Sequence, residues 1–301
     1  MHIRDIPVRD WYADTRRYCH RGHEIVYRRG GAGAALLLIH GFPTASWDFH
    51  RLWTALTQRF DVIAPDMIGY GMSAKPRGYS YSLFDQADLM AGLLAELGLS
   101  RLHILSHDYG DTVAQEMLHR AREAGNRAAG GHPRILSTVL LNGGMFYDCI
   151  RQTPMQRILR APIGRLVQHL MTRRRFHRSF AAIFGPDTQP DTAELDDFWS
   201  LVTANGGKGV MHDVIQYLGE RRRFQERWTR ALSDAPCPLR LIYGPEDPVS
   251  GAPIARRFAE VVPNADVVRL DGIGHYPQTE APARVLEAFF DFHDRLSEGG
   301  G

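Results

Sequence analysis

Cysteine is scarce in this chain. Its three thiols, Cys19, Cys149 and Cys237, stand far apart and are odd in number. That excludes a disulfide framework and offers no zinc-site spacing. A reducing compartment suits them, and the cytoplasm is the expected location. Long apolar runs are missing as well. The longest, such as Ala34 to Ile39, fall far short of the ~20 residues that cross a bilayer, so no transmembrane segment is expected. Met1 to Tyr12 mixes Arg, Asp, Pro and Trp and lacks the apolar core of a secretory signal. Charge of one sign is not in surplus: 36 Lys and Arg stand against 34 Asp and Glu, a net +2. No strong field therefore argues for nucleic acid as a partner. Internal repeats and low-complexity tracts are absent. Two basic runs, Arg173 to Arg178 and Arg221 to Arg223, read as solvated helix faces, with a membrane surface or an acidic partner as the alternative. The last residues, Ser297 to Gly301, read as a frayed or added tail.

What is present is a regular alternation. The 301 residues, 44% apolar and 23% charged, suffice for one large α/β domain with an insertion. Arg16 to Cys19 and Glu24 to Arg29 flank Arg21-Gly22 as a strand pair. Short apolar runs follow at Leu36 to His40, Asp61 to Pro65, Leu102 to Ser106, Ile135 to Leu141, Leu239 to Tyr243 and Asp266 to Leu270. Runs of this kind suit strands buried on both faces. Helical stretches lie between them: Trp47 to Arg59, Phe84 to Gly98, Asp111 to about Glu123, and segments from about Pro253 and about Ala281. The pattern predicts a mostly parallel eight-stranded sheet flanked by helices. From Met145 to Trp228 the rhythm breaks. No buried strand is visible, and Pro154, Pro162, Pro186 and Pro190 punctuate a helix-like stretch too long for a plain loop. The predicted organisation is a core of residues 1–144 and 229–301 with a helical cap, 145–228, inserted after the sixth strand.

Chemistry gathers at the ends of these strands. Ser106-His107-Asp108-Tyr109-Gly110 follows a strand directly and opens a helix. Strand, tight turn and helix with a nucleophile at the apex form a nucleophile elbow, and Ser106 and Gly110 supply its small residues. The apex holds a carboxylate where serine is usual. Asp108 could also be a helix N-cap. As a nucleophile it would attack a saturated carbon and become an alkyl ester, with epoxides and alkyl halides as the natural electrophiles. His275, on the loop Gly272-Ile273-Gly274-His275-Tyr276-Pro277, suits a general base. Asp247, in Gly244-Pro245-Glu246-Asp247-Pro248, suits the acid that orients it, with Glu246 as rival. The backbone amides of Phe42, in His40-Gly41-Phe42-Pro43, and of Tyr109 would form an oxyanion hole. His40 itself reads as structural. Tyr217 is singled out as a phenol able to protonate a leaving oxygen. Phe42, Trp47, Met145, Phe146 and Trp199 are expected around an apolar pocket.

With these pieces the chain resembles α/β hydrolases of the epoxide hydrolase and haloalkane dehalogenase group. Within that group it is most similar to the mesoderm-specific transcript protein family and its bacterial relatives. The resemblance runs from about residue 36 to 280. It rests on His40-Gly41-Phe42-Pro43-Thr44, Leu56 to Phe60, Ser106 to Asp111, Val113-Ala114-Gln115-Glu116, Asn142-Gly143-Gly144, Phe184-Gly185-Pro186, Gln216-Tyr217, Tyr243-Gly244-Pro245 with Asp247-Pro248, and His275-Tyr276-Pro277-Gln278. It implies the α/β-hydrolase fold, with Asp108 as nucleophile, Asp247 as acid, His275 as base and Tyr217 as ring-opening donor. Chemistry of this kind is expected to require no metal and no organic cofactor. One departure stands out. Epoxide hydrolases usually place two tyrosines in the cap, and between Ile150 and Trp228 only Tyr217 is present. His169, His177, His212 or Tyr147 could supply the second donor, or nothing does.

An apolar epoxide and water are the expected reactants. A haloalkane dehalogenase with the same three residues is the alternative. A departing halide needs N–H donors, which the side chains of Tyr109 and Phe42 lack; Trp199 or Trp47 could contribute. A third reading is a ligand-binding or acyl-handling relative. A binding module gains nothing from the full set of Asp108, Asp247 and His275, and a carboxylate attacking an ester yields an anhydride.

Overall fold

The fold is a computed structural model that describes residues 3–125 and 132–298. The end of the expected tail, residues 299–301, lies outside the described residues. Eight strands form one sheet: β1 (Thr15–His20), β2 (His23–Gly30), β3 (Ala34–Ile39), β4 (Phe60–Pro65), β5 (Arg101–His107), β6 (Arg134–Leu141), β7 (Leu239–Tyr243) and β8 (Asp266–Arg269). Their order is β1-β2-β4-β3-β5-β6-β7-β8. β1 pairs antiparallel with β2, and β2 with β4; every other neighbour is parallel. The apolar runs in the middle explain this layout. Leu36 to Ile39, Val62 to Ala64 and Ile104 to Leu105 are fully buried, because helices cover both faces of the sheet.

The main helices are α1 (Leu83–Glu96), α2 (Tyr109–Glu123), α3 (Pro154–Arg160), α4 (Gly164–Val167), α5 (Arg173–Ala181), α6 (Thr192–Thr203), α7 (Met211–Val214), α8 (Tyr217–Arg223), α9 (Gln225–Ser233), α10 (Ala252–Val261) and α11 (Pro282–Glu298). Between β6 and β7 every described element is helical, and this insertion carries α3 to α9. Its starts are marked by side-chain caps. Thr153 and Gln156 form a reciprocal capping box on α3, Thr172 caps α5 and Asp191 caps α6. α9 lies along α2: the Gln115 amide donates to the Trp228 carbonyl at 3.0 Å and the Trp228 indole to Glu116 at 3.0 Å. The boundary expected after residue 228 therefore falls inside a helix packed on the sheet layer.

One predicted helix is replaced. Trp47 to Arg59 forms a 3₁₀ turn, Ser46–Phe49, and a single short helix, Trp53–Leu56. The Trp47 indole N–H reaches the Ile6 carbonyl at 2.9 Å, and the ring stacks on His50 with centroids 3.9 Å apart. The long-range contacts of Trp47, with Ile6 and with the Phe198 ring 5.1 Å away between centroids, outweigh the local preference for one continuous helix.

Candidate active site

The parallel strands deliver their C-terminal ends to one rim, where open α/β sheets place ligands. β5 ends at His107, and Asp108 follows with φ +47° and ψ −105°, a strained conformation for a residue with a Cβ. Its side chain does not cap α2, so the N-cap reading fails. Gly110 is dictated by space: a Cβ there would lie 2.3 Å from the Ile39 carbonyl oxygen. The Asp108 carboxylate is buried, and its Oδ2 accepts the Phe42 N–H at 3.1 Å. Tyr109 opens α2, so its amide is among the helix N–H groups without an intrahelical acceptor. His40 is committed elsewhere. Its Nδ1 donates to the Gly41 carbonyl, and its Nε2 accepts the Met67 N–H at 3.0 Å, which holds the ring in one neutral tautomer.

Asp247 and His275 meet from the ends of β7 and β8. His275 Nδ1 lies 2.8 Å from Asp247 Oδ2. The same oxygen accepts from the Asn142 amide at 2.9 Å and the Ser250 hydroxyl at 2.8 Å, and Oδ1 accepts from the Val249 N–H at 2.7 Å. Burial works against a charged Asp247, but His275 and these donors outweigh it and lower its pKa. Burial also works against a charged His275; the Asp247 contact, with Asp108 beyond it, prevails and raises the imidazole to about 9. The pair is thus a buried carboxylate and imidazolium at neutral pH. Glu246, the rival acid, is exposed.

Tyr217 packs beside the elbow. Its ring centroid lies 4.6 Å from that of Tyr109 and 5.9 Å from that of Phe42. Burial and the Asp108 charge raise its pKa far up, so the phenol stays protonated. Among the described residues no protein group bonds its hydroxyl. The four candidate second donors are placed elsewhere: His169 is exposed, His177 pairs with Asp196, His212 bonds the Leu159 carbonyl and Tyr147 takes the Gln152 amide. A phenol outside the insertion is nearer. Tyr70, just after β4, lies 5.5 Å from Tyr109 between ring centroids, and its buried hydroxyl has no partner among the described residues.

Arg221 corrects the sequence reading. The run Arg221 to Arg223 was expected on a solvated face. Arg222 and Arg223 are exposed, but Arg221 is only 4% exposed and lies against the elbow. Its guanidinium donates to the Asp108 carbonyl at 3.0 Å and to the Thr112 hydroxyl at 2.8 Å, and lies 3.8 Å from the Asp108 carboxylate. It also covers the Tyr217 ring, 4.7 Å from its centroid. Replacing Arg221 by methionine keeps the stem and removes the charge, leaving a buried carboxylate and two acceptors unmatched. Urea denaturation at neutral pH is expected to show a loss on the order of 3 kcal/mol. An unchanged midpoint would mean the guanidinium adds nothing net.

Asp108 and His275 face a cavity of about 80 Å³ lined mainly by apolar side chains. Phe42 belongs to the lining, as do Leu159, Phe176 and Phe180 and three methionines, Met155, Met171 and Met211, whose flexible side chains adapt to different shapes. Trp47, Met145, Phe146, Trp199 and Tyr217 do not line it; Tyr217 borders a neighbouring cleft of about 240 Å³ with Tyr79, Tyr81 and Glu220. Trp47 is held by Ile6 and His50, Met145 and Phe146 are buried in the core, and Trp199 packs on Phe176. A larger cleft of about 330 Å³ opens near the N-terminal ends of β7 and β8, far from this chemistry, so volume does not pick the site. Among the described residues no group of three or more His, Cys, Asp or Glu could hold a metal ion.

Comparison with known proteins agrees with this architecture. Residues 36–288 match the Alpha/beta hydrolase family. The mesoderm-specific transcript protein of Mus musculus is 38% identical over 95% of this chain and 87% of its own length. LipZ of Mycobacterium tuberculosis is 36% identical over 93% of this chain and 96% of its own. Among solved structures, a haloalkane dehalogenase variant from Bradyrhizobium elkanii superposes with a TM-score of 0.78 at 20% identity, covering 95% of this chain and 98% of that one. The epoxide hydrolase CorEH superposes with a TM-score of 0.75 at 19% identity, covering 94% and 99%. At such identity the two structures speak to fold alone. The chain belongs to the alpha/beta hydrolase family.

Proposed function

We propose that this hydrolase opens a small apolar epoxide to a vicinal diol through an ester on Asp108. An Asp108 oxygen attacks the less hindered ring carbon, the carbon–oxygen bond breaks, and the freed oxygen takes the Tyr217 proton. The ester carries no charge, so one cause of the raised His275 pKa disappears. The imidazolium can then lose its proton, through solvent, to the Tyr217 phenolate. Neutral His275, oriented by Asp247, takes a proton from water as the oxygen adds to the ester carbonyl. The amides of Phe42 and Tyr109 hold the oxyanion. Collapse releases the diol and restores carboxylate, phenol and imidazolium.

The observation that carries this reading is Tyr217, a buried, protonated phenol with no protein partner among the described residues, next to a carboxylate at a strained elbow. The haloalkane dehalogenase reading has less support. The Trp47 indole N–H is occupied by Ile6, and Trp199, which like Tyr217 lies outside the cavity lining, packs on Phe176 rather than on the elbow. Two missing donors, each worth about 2–3 kcal/mol, would slow halide departure by roughly 10³-fold or more.

Styrene oxide and 1-bromohexane assayed side by side test the proposal. Diol formation is expected to dominate, with bromide release negligible. Tyr217→Phe is expected to slow diol formation about 10²-fold or more. Bromide release without diol would reverse the order of the two readings, and a Tyr217→Phe enzyme at full rate would remove the phenol from the mechanism.

A further inference from the structure

Five large apolar side chains are well exposed among the described residues, and four of them fall in one short stretch of the insertion: Ile158, Ile163, Leu166 and Leu170, at 43%, 59%, 71% and 63% exposure. Ile163, Leu166 and Leu170 recur at spacings of three and four, along α4 and the 3₁₀ turn Gln168–Leu170 that continues it. They therefore share one helical face. Ile158 lies on α3, which packs against α4. Scattered single apolar residues are ordinary on a protein surface; a concentrated protruding set is not.

The same stretch is strongly cationic. From Cys149 to Pro186 the sequence holds eight arginines and no aspartate or glutamate. The chain's net charge of +2 conceals this, because the acidic residues lie elsewhere. Arg165 and Arg173 pair with Asp213 and Asp196. Arg157, Arg174, Arg175 and Arg178 are exposed and have no acidic partner among the described residues.

From this we infer that the outer surface of the insertion, residues 157–178, seats on an anionic lipid bilayer. Protruding aliphatic side chains enter the headgroup boundary while arginines around them meet lipid phosphates and acidic headgroups. A second copy of this chain is a poor occupant, since it would bring two cationic faces together. No described helix is long and apolar enough to cross a membrane, so the contact is peripheral. The helices involved have two sides. Leu159, Met171 and Phe176 line the cavity, while their neighbours Ile158, Leu170, Arg174 and Arg175 point outward. Docking this face places the cavity wall against the bilayer, from which an apolar substrate can enter. The lipid contact does not depend on which reaction the site performs.

Co-sedimentation of the full chain with vesicles tests it. Binding is expected to vesicles of phosphatidylcholine with phosphatidylglycerol in low salt, and to weaken at least tenfold in pure phosphatidylcholine or in about 0.5 M salt. Arg174→Ser with Arg175→Ser is expected to weaken binding about 25-fold, roughly fivefold per arginine. Leu166→Asp with Leu170→Asp is expected to weaken it at least about tenfold, with an unchanged circular dichroism spectrum and melting temperature as the folding control. No binding to anionic vesicles in low salt would overturn the inference. So would vesicle binding unmoved by both pairs of substitutions. Equal binding to soluble polyglutamate, insensitive to the leucine substitutions, would assign the surface to an acidic partner. Dimers that the leucine substitutions dissolve, without vesicle binding, would assign it to a second copy.

Discussion

His275→Gln is expected to lose turnover by about 10³- to 10⁴-fold and to accumulate an ester on Asp108. In the proposed mechanism the first step needs only the carboxylate, its strained presentation and a proton donor, none of which involves the imidazole. The second needs a base, and glutamine is none. Ring opening is an addition, so intact mass should rise by the full mass of the epoxide, and peptide mapping should place the gain at Asp108. An alkyl bromide would instead add only its alkyl group. Wild-type enzyme run through one turnover in heavy-oxygen water should incorporate label into the Asp108 carboxylate, because water attacks the ester carbonyl. A variant that stays unmodified while wild type turns the epoxide over, together with an unlabelled Asp108, would remove the covalent intermediate.

The elbow was legible because its requirements are local. A strand ending at His107, a small residue on each side of Asp108 and a helix opening at Tyr109 are all readable within a few positions, and Gly110 is forced by backbone contact. The sheet was legible for a similar reason: strands buried on both faces must be apolar throughout, so β3 to β7 announce themselves. Arg221 was missed because its neighbours disguise it. Three consecutive arginines read as solvated, yet consecutive helical residues point about 100° apart. The signal was the spacing: Tyr217 and Arg221 are four residues apart on α8 and share a face, so an inward Tyr217 implied an inward Arg221. The cavity wall was not legible. Phe176 and Phe180 recur at core-like spacing, and nothing local separates a side chain packed in a core from one facing a void. Trp47 was misplaced because its position is set by Ile6 and Phe198, through contacts the local pattern does not encode.

Asp247→Asn is expected to be as damaging as loss of the base, through position and charge rather than chemistry of its own. Asp247 Oδ2 faces Asn142, Ser250 and His275 Nδ1, three groups that can donate. An asparagine either turns its amide toward them, setting donor against donor, or turns away and leaves the Val249 N–H without its acceptor. Either way His275 loses its orientation, and turnover should fall by about 10⁴-fold. The pH behaviour separates this from mere structural damage. Burial alone lowers His275, and only the carboxylates raise it to about 9. With Asp247 neutral, burial gains and the imidazole titrates at lower pH, so the acid limb of the residual rate profile should move to lower pH. The stability difference from wild type has a matching signature. The raised His275 pKa contributes stability that is complete below about 6.5 and disappears as pH rises through about 9. The lowered Asp247 pKa contributes stability that is complete above about 4 and is lost as the carboxylate protonates at lower pH. Denaturant titrations of the two proteins should therefore diverge most between about pH 4 and 6.5 and converge toward both extremes. A gap independent of pH, with an unmoved rate profile, would show that Asp247 supports the loop without tuning His275.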